Sequence, residues 1–159
     1  MNLTDCVSSA ARDRFNTFKA KGKLDLEGTQ RRELDAAQAT DLYTQFRGQM
    51  DQIISLDNVM QVDHDVTPGH IDSDVLGEGV KLKARYQGNT RTGTIAGEIS
   101  PSDQGASQFI AEFGAGSLTV IQTVDLGEGK LGTMAASLNP NGKSFIDSHD
   151  VPEGSVLLV

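Results

Sequence analysis

The stretch from Gly79 to Gln87 alternates without a break. Val80, Leu82, Ala84 and Tyr86 are separated by Lys81, Lys83, Arg85 and Gln87. Successive side chains of a strand point to opposite faces, so this segment has one apolar face and one cationic face. Strict alternation over eight residues predicts a strand. Gly88-Asn89-Thr90 follows, with residues that tolerate positive φ, and Arg91 to Ile99 reads as a second strand with Ile95, Gly97 and Ile99 on one face. Together they predict a β-hairpin with a loop of about three to five residues. A polar face implies that one side meets water, which favours an antiparallel sheet. The apolar side then needs a cover.

The N-terminal third supplies one. Val7, Ala10, Ala11, Phe15 and Phe18 repeat at helical spacing, with Thr4 placed to cap a helix over roughly residues 5–20 and Gly22 placed to stop it. After a polar link through Asp25, Glu27 and Gly28, the residues Leu34, Ala37, Leu42, Phe46, Met50, Ile53 and Ile54 keep the same period and predict a longer helix over about 30–55. Two helices joined by a short polar turn read as an antiparallel helical hairpin, whose joint stripe would lie on the sheet. The acidic segment 61–78 contains Pro68-Gly69 and has no period, so it reads as a linker.

Beyond residue 79, strand-like runs recur every eight to twelve residues. Phe109, Ala111 and Phe113 share a face in 107–113, as do Leu118, Val120, Val124 and Leu126 in 117–126; further short runs are 131–138, 143–147 and 155–159. Ser100-Pro101, Gly114-Ala115-Gly116, Gly127-Glu128-Gly129 and Asn139-Pro140-Asn141-Gly142 punctuate them. The expected architecture is α+β: an N-terminal helical hairpin packed on a C-terminal antiparallel sheet of six or seven short strands, arranged as a meander, sandwich or small barrel. The 159 residues are expected to form a single domain, with 1–60 helical, 61–78 linker and 79–159 β-rich. The terminal Val156-Leu157-Leu158-Val159 is too apolar to hang free and is expected to pair into the sheet or with another chain.

Charge narrows the partners. The net charge of −8 argues against double-stranded nucleic acid, whose phosphates need a positive field. Seven of the fourteen basic residues nevertheless fall between Arg12 and Arg32, which reads as a solvated helix pair or as a patch for an acidic partner or lipid surface. The single cysteine, Cys6, rules out an internal disulfide and fits a reducing compartment. No apolar run is long enough for a membrane span or a signal peptide. A cytoplasmic or virion-associated location is expected, and signal-less secretion stays open.

Four groups of residues carry chemical suggestions. All three histidines sit beside carboxylates: His64 between Asp63 and Asp65, His70 before Asp72 and Asp74, and His149 between Asp147 and Asp150. Imidazole and carboxylate suit zinc, manganese or iron, and a neighbouring carboxylate makes imidazole a better base. No recognised ligand spacing accompanies them, so no cofactor is expected, with a divalent metal at His64, His70, Asp72, Asp74 or His149 as the alternative. Gly127-Glu128-Gly129-Lys130-Leu131-Gly132 matches a dinucleotide-binding fingerprint with Asp147 twenty residues on. The segment that follows is a poor helix, and a hairpin turn explains the glycines better. Cys6 near a helix start could be a nucleophile served by His149 and Asp147, an order that papain-like hydrolases also use, though the analogy is of order alone. Finally, Lys81, Lys83, Arg85 and Arg91 form a cationic stripe that could bind an acidic strand or ligand, or simply protect an edge.

The functional expectation is a non-catalytic binding, adaptor or assembly protein acting through another protein or through self-association as a homo-oligomer. The alternative is a small metal-assisted or cysteine hydrolase built on His64, His70, His149 and neighbouring aspartates.

Overall fold

Helix α1 (Ser9–Lys21) begins where Ser8 can cap it: the Ser8 hydroxyl accepts the Ala11 N–H at 3.2 Å. It ends at Gly22, whose left-handed backbone (φ 69°) lets its N–H reach the Phe18 carbonyl at 2.9 Å. This computed structural model describes residues 7–54, 69–71, 80–87, 92–99 and 107–151. Thr4 and Cys6 lie outside them, and the described cap is Ser8. Of the expected stripe, Val7, Ala11, Phe15 and Phe18 are buried, whereas Ala10 is exposed.

The segment expected to open the second helix is instead a strand, β1 (Gln30–Leu34). Helix α2 (Ala36–Ile54) starts only after it. The cause is a reciprocal cap. The Gln38 N–H donates to Asp35 Oδ1 at 2.8 Å, and the Asp35 N–H donates to Gln38 Oε1 at 3.1 Å. This pairing satisfies donors that the first turn would otherwise leave orphaned. Asp35→Ala should therefore destabilise the protein by about 1 kcal/mol, read as a lower urea midpoint with unchanged slope.

Seven further described strands join it in one antiparallel sheet: β2 (Gly69–Ile71), β3 (Val80–Gln87), β4 (Thr92–Ile99), β5 (Ser107–Gly114), β6 (Ser117–Gly127), β7 (Lys130–Leu138) and β8 (Ser144–His149). Their order is β1-β8-β7-β6-β5-β4-β3-β2. From β2 to β8 this is a meander, as the evenly spaced turns imply, and β1 is added beside β8. Among the described residues it is an open sheet with β1 and β2 at its ends rather than a closed barrel. Two of the eight strands come from segments read as helix start and as linker. The run 155–159 lies outside the described residues.

The expected hairpin is present, with Val80 paired to Ile99 and Gln87 to Thr92. The β6–β7 turn is tight. Glu128 and Gly129 have φ of 55° and 76° between the paired residues Gly127 and Lys130. Positive φ at both central positions gives a turn whose twist matches that of the strands it joins. The Gly-x-Gly-x-x-Gly match is thus strand, turn and strand. Just before it, the register shifts between Asp125 and Gly127. Leu126, within this shift, is exposed, with its Cδ1 beside Gly132.

The two helices do not share a layer. Phe15, Phe18, Ala11, Val7 and Leu24 pack with Ala96, Ile110, Ile121 and Ala135. Phe46 packs with Ala111, Phe113, Leu118, Val120, Ala136, Leu138 and Ile146, flanked by Leu42 and Tyr43. Ile110 and Ala111 are neighbours in one strand, as are Val120 and Ile121, so these clusters lie on opposite faces of the sheet. The central strands are consequently buried on both sides, and β1, at the edge, is the segment that separates the helices in sequence. On the α2 side, Arg47 is buried with its guanidinium 4.6 Å from the Phe113 ring and bonded to the Tyr43 hydroxyl at 2.7 Å.

Candidate functional site

Two polar centres stand on the α1 side of the sheet, both at β8. The first surrounds Asp147, which pairs in register with Ala135 on β7 and with Arg31 on β1. Its side chain is 1% exposed, while that of Arg31 is 40% exposed. Arg31 Nε donates to Oδ1 at 2.7 Å and Nη2 donates to Oδ2 at 2.9 Å. The Leu24 N–H adds a third bond to Oδ2 at 3.3 Å. The same Nη2 reaches the Gly22 carbonyl at 2.7 Å, and the guanidinium lies 3.7 Å from the Phe145 ring centre. A forked donor set on a buried carboxylate is a strong, directional contact. The Asp147 hydrogen bond raises the Arg31 pKa above its ordinary value against a smaller opposing effect of burial. Both carboxylate oxygens are thereby engaged in tying β1, β8 and the end of α1 together.

The second centre is at His149. It pairs with Thr133 on β7, which is fully buried. Arg14 from α1 donates to the Leu131 carbonyl at 2.8 Å and also to the Thr133 hydroxyl. Burial lowers the Arg14 pKa, and the negative charge of Asp150 partly offsets this. His149 Nδ1 is buried without a hydrogen-bond partner and lies 3.6 Å from Asp150 Oδ2, which is beyond hydrogen-bond reach. Asp150 itself adopts φ 54°, and the chain then passes close over β7. A Cβ on Gly132 would meet the Asp150 carbonyl oxygen at 2.9 Å and the Val151 side chain at 3.2 Å. Backbone cannot yield as a side-chain tip can. Gly132→Ala should cost about 1–3 kcal/mol, measurable by urea denaturation, and should alter the amide resonances of Asp150 and Val151.

The remaining expected site residues are scattered. His64, Asp72, Asp74 and Arg91 lie outside the described residues, as does Cys6. His70 falls in β2, paired with Lys83. Lys81, Lys83 and Arg85 fall in β3, paired with Glu98, Ala96 and Thr94. The sheet order places β2 and β8 six strand spacings apart, roughly 29 Å at about 4.8 Å each. His70 and His149 are therefore not brought together. Among the described residues no three His, Cys, Asp or Glu side chains are grouped so as to hold a metal ion.

The basic cluster between Arg12 and Arg32 is largely engaged within the chain. Arg14 is held by β7 and Arg31 by Asp147, Lys19 meets Glu112 at 3.1 Å, and Lys21 and Lys23 lie 2.6 and 3.8 Å from Asp25. Sequence reasoning missed the role of Arg31 because it placed that residue on a solvated helix. The signal that could have found it is Asp35-Ala36-Ala37-Gln38, a capping pattern that starts the helix after Leu34. No described helix is long and apolar enough to cross a membrane. No protein-family model, curated protein or solved structure matches this chain.

Proposed function

We propose that the protein is a non-catalytic binding or assembly protein that acts through protein–protein contacts at the ends of its sheet. The observation that carries this reading is the open sheet. Eight strands run in order from β1 to β2, and the β1 edge leaves Gln30, Arg31, Arg32 and Glu33 exposed. An open edge offers backbone donors and acceptors to a further strand. The described packing runs from β4 to β7 for α1 and from β5 through β8 to β1 for α2, so the β2–β3 end is the other surface on which a partner would sit. There the register sets Lys81, Lys83 and Arg85 along β3, a row suited to an acidic protein surface. The alternative reading, a hydrolase, would have to rest on His149 with Asp150, because Arg31 and Leu24 occupy the oxygens of Asp147.

The test is photo-crosslinking in the cells that make the protein. The crosslinking residue is placed at Gln30 in β1, at Lys83 in β3, and at Thr44 on the solvent side of α2 as control. Crosslinks to protein are expected from the sheet positions and not from Thr44. Absence of protein crosslinks from both sheet positions, with a hydrolytic activity that His149→Ala abolishes, would overturn the proposal in favour of the enzyme.

A further inference from the structure

We infer that β1 is a self-pairing edge: two copies of this chain join β1 to β1, antiparallel, about a two-fold axis at Arg32. This rests on the reading of the chain as an assembly protein and names its partner as a second copy. The edge reads Gln30-Arg31-Arg32-Glu33-Leu34. Its pairing with β8 is regular over all five residues, and it contains no proline. Among the described residues β8 is the strand paired with it, and neither a bulge nor a missing N–H closes its outer side, two of the devices that usually protect an edge.

A third such device, charge, is present, but in mixed sign at alternate positions. That pattern is self-complementary. Centred on Arg32, the pairing sets Gln30 opposite Leu34 of the second copy, Arg31 opposite its Glu33, and Glu33 opposite its Arg31. Arg31 already has Asp147 on its inner side. Across the joint the row would read Asp147, Arg31, then Glu33 of the second copy, alternating negative, positive and negative. Opposite charges directly across a strand pair are favourable, and like charges are not. A two-fold interface requires this self-complementarity, because one patch must serve both sides. Shifting the register by two residues loses it, since Glu33 then faces Glu33, or Arg31 faces Arg31. Arg32 does meet its own copy, a like-charge contact that keeps the pairing weak. Five residues a side also bury less than the roughly 1,000 Å² of a stable interface. The dimer is accordingly concentration-dependent.

Sedimentation of the full chain at low salt, from micromolar to millimolar concentration, tests this. The wild type should pass from monomer to dimer across that range. Arg32→Thr removes the like-charge contact and should shift the midpoint about two- to fivefold lower in concentration. Glu33→Arg sets arginine against Arg31 and should abolish the dimer; Glu33→Gln, the milder change, should weaken it. Thermal unfolding of each variant checks that the monomer still folds. A dimer indifferent to all three substitutions would overturn the β1 assignment. So would a wild type and Arg32→Thr that both remain monomeric throughout. Either result would leave the broader reading to the crosslinking experiment, which does not depend on a second copy.

Discussion

Arg31→Met is expected to destabilise the protein by ~3–5 kcal/mol, and to do so more than Asp147→Asn. The asymmetry follows from exposure. Asp147 is buried and Arg31 is 40% exposed. Removing the arginine leaves a carboxylate in the sheet with only the Leu24 N–H at 3.3 Å. The carboxylate is 1% exposed beneath the arginine, and an uncompensated buried charge is among the most costly defects a fold can carry. Removing the carboxylate's charge instead leaves a guanidinium that can turn to solvent and keep its bond to Gly22. That loss should be nearer 1–2 kcal/mol, typical of a disrupted hydrogen-bond set. Urea denaturation of the two variants would show the difference as unequal midpoints. Equal midpoints would mean that the pair is solvated and that β1 is held by backbone pairing alone.

The same pair has a pH signature on the arginine side. The Arg31 pKa is raised in the folded protein above its ordinary value. A raised pKa contributes stability that is fully present below the unfolded value and is lost only as pH rises through the folded one. Arg31 therefore contributes throughout the neutral and moderately alkaline range, and its deprotonation should not weaken the wild type there.

Periodicity made most of the strands legible, because a half-buried strand writes its burial as alternation. Val80 to Gln87 is the clearest case, and the glycine-marked turns at 114–116 and 127–129 fixed the meander. The places where the reading departed from the structure have physical reasons. Gln30–Leu34 is an exposed edge strand, and an edge solvated on both faces has no apolar period to display. Its partner β8 is short, and the contact that holds it, Arg31 to Asp147, joins residues 116 apart in sequence. Such a pairing is invisible to any local window. Asp147 showed the opposite problem. Beside His149 it resembled half of a catalytic pair, yet strand geometry turned it toward Arg31, leaving Asp150 as the nearer acid. The joint helical layer was inferred from one wet strand face at β3. Adjacent apolar residues such as Val120-Ile121 and Phe109-Ile110-Ala111 already indicated strands covered on both sides, and both faces are in fact covered.

That arrangement predicts the other large effect. Phe18→Ala should cost ~3–5 kcal/mol. The ring is 2% exposed and meets Phe145 edge to face at 5.8 Å and 64°, so its removal leaves a cavity between α1 and the sheet that neither rigid element can close. Phe46→Ala should cost a similar amount by stripping α2 from the opposite face. The decisive measurement is their coupling. In an antiparallel helical hairpin the two rings would lie in one layer, and substitutions would interact. Here they belong to separate clusters with the sheet between them. A double-mutant cycle with the milder Phe18→Leu and Phe46→Leu, at ~1–2 kcal/mol each, keeps all four proteins folded. The two costs should add to within about 0.5 kcal/mol. A coupling well above that would place both helices on one face and would require β1 to reach the edge of the sheet by a different path.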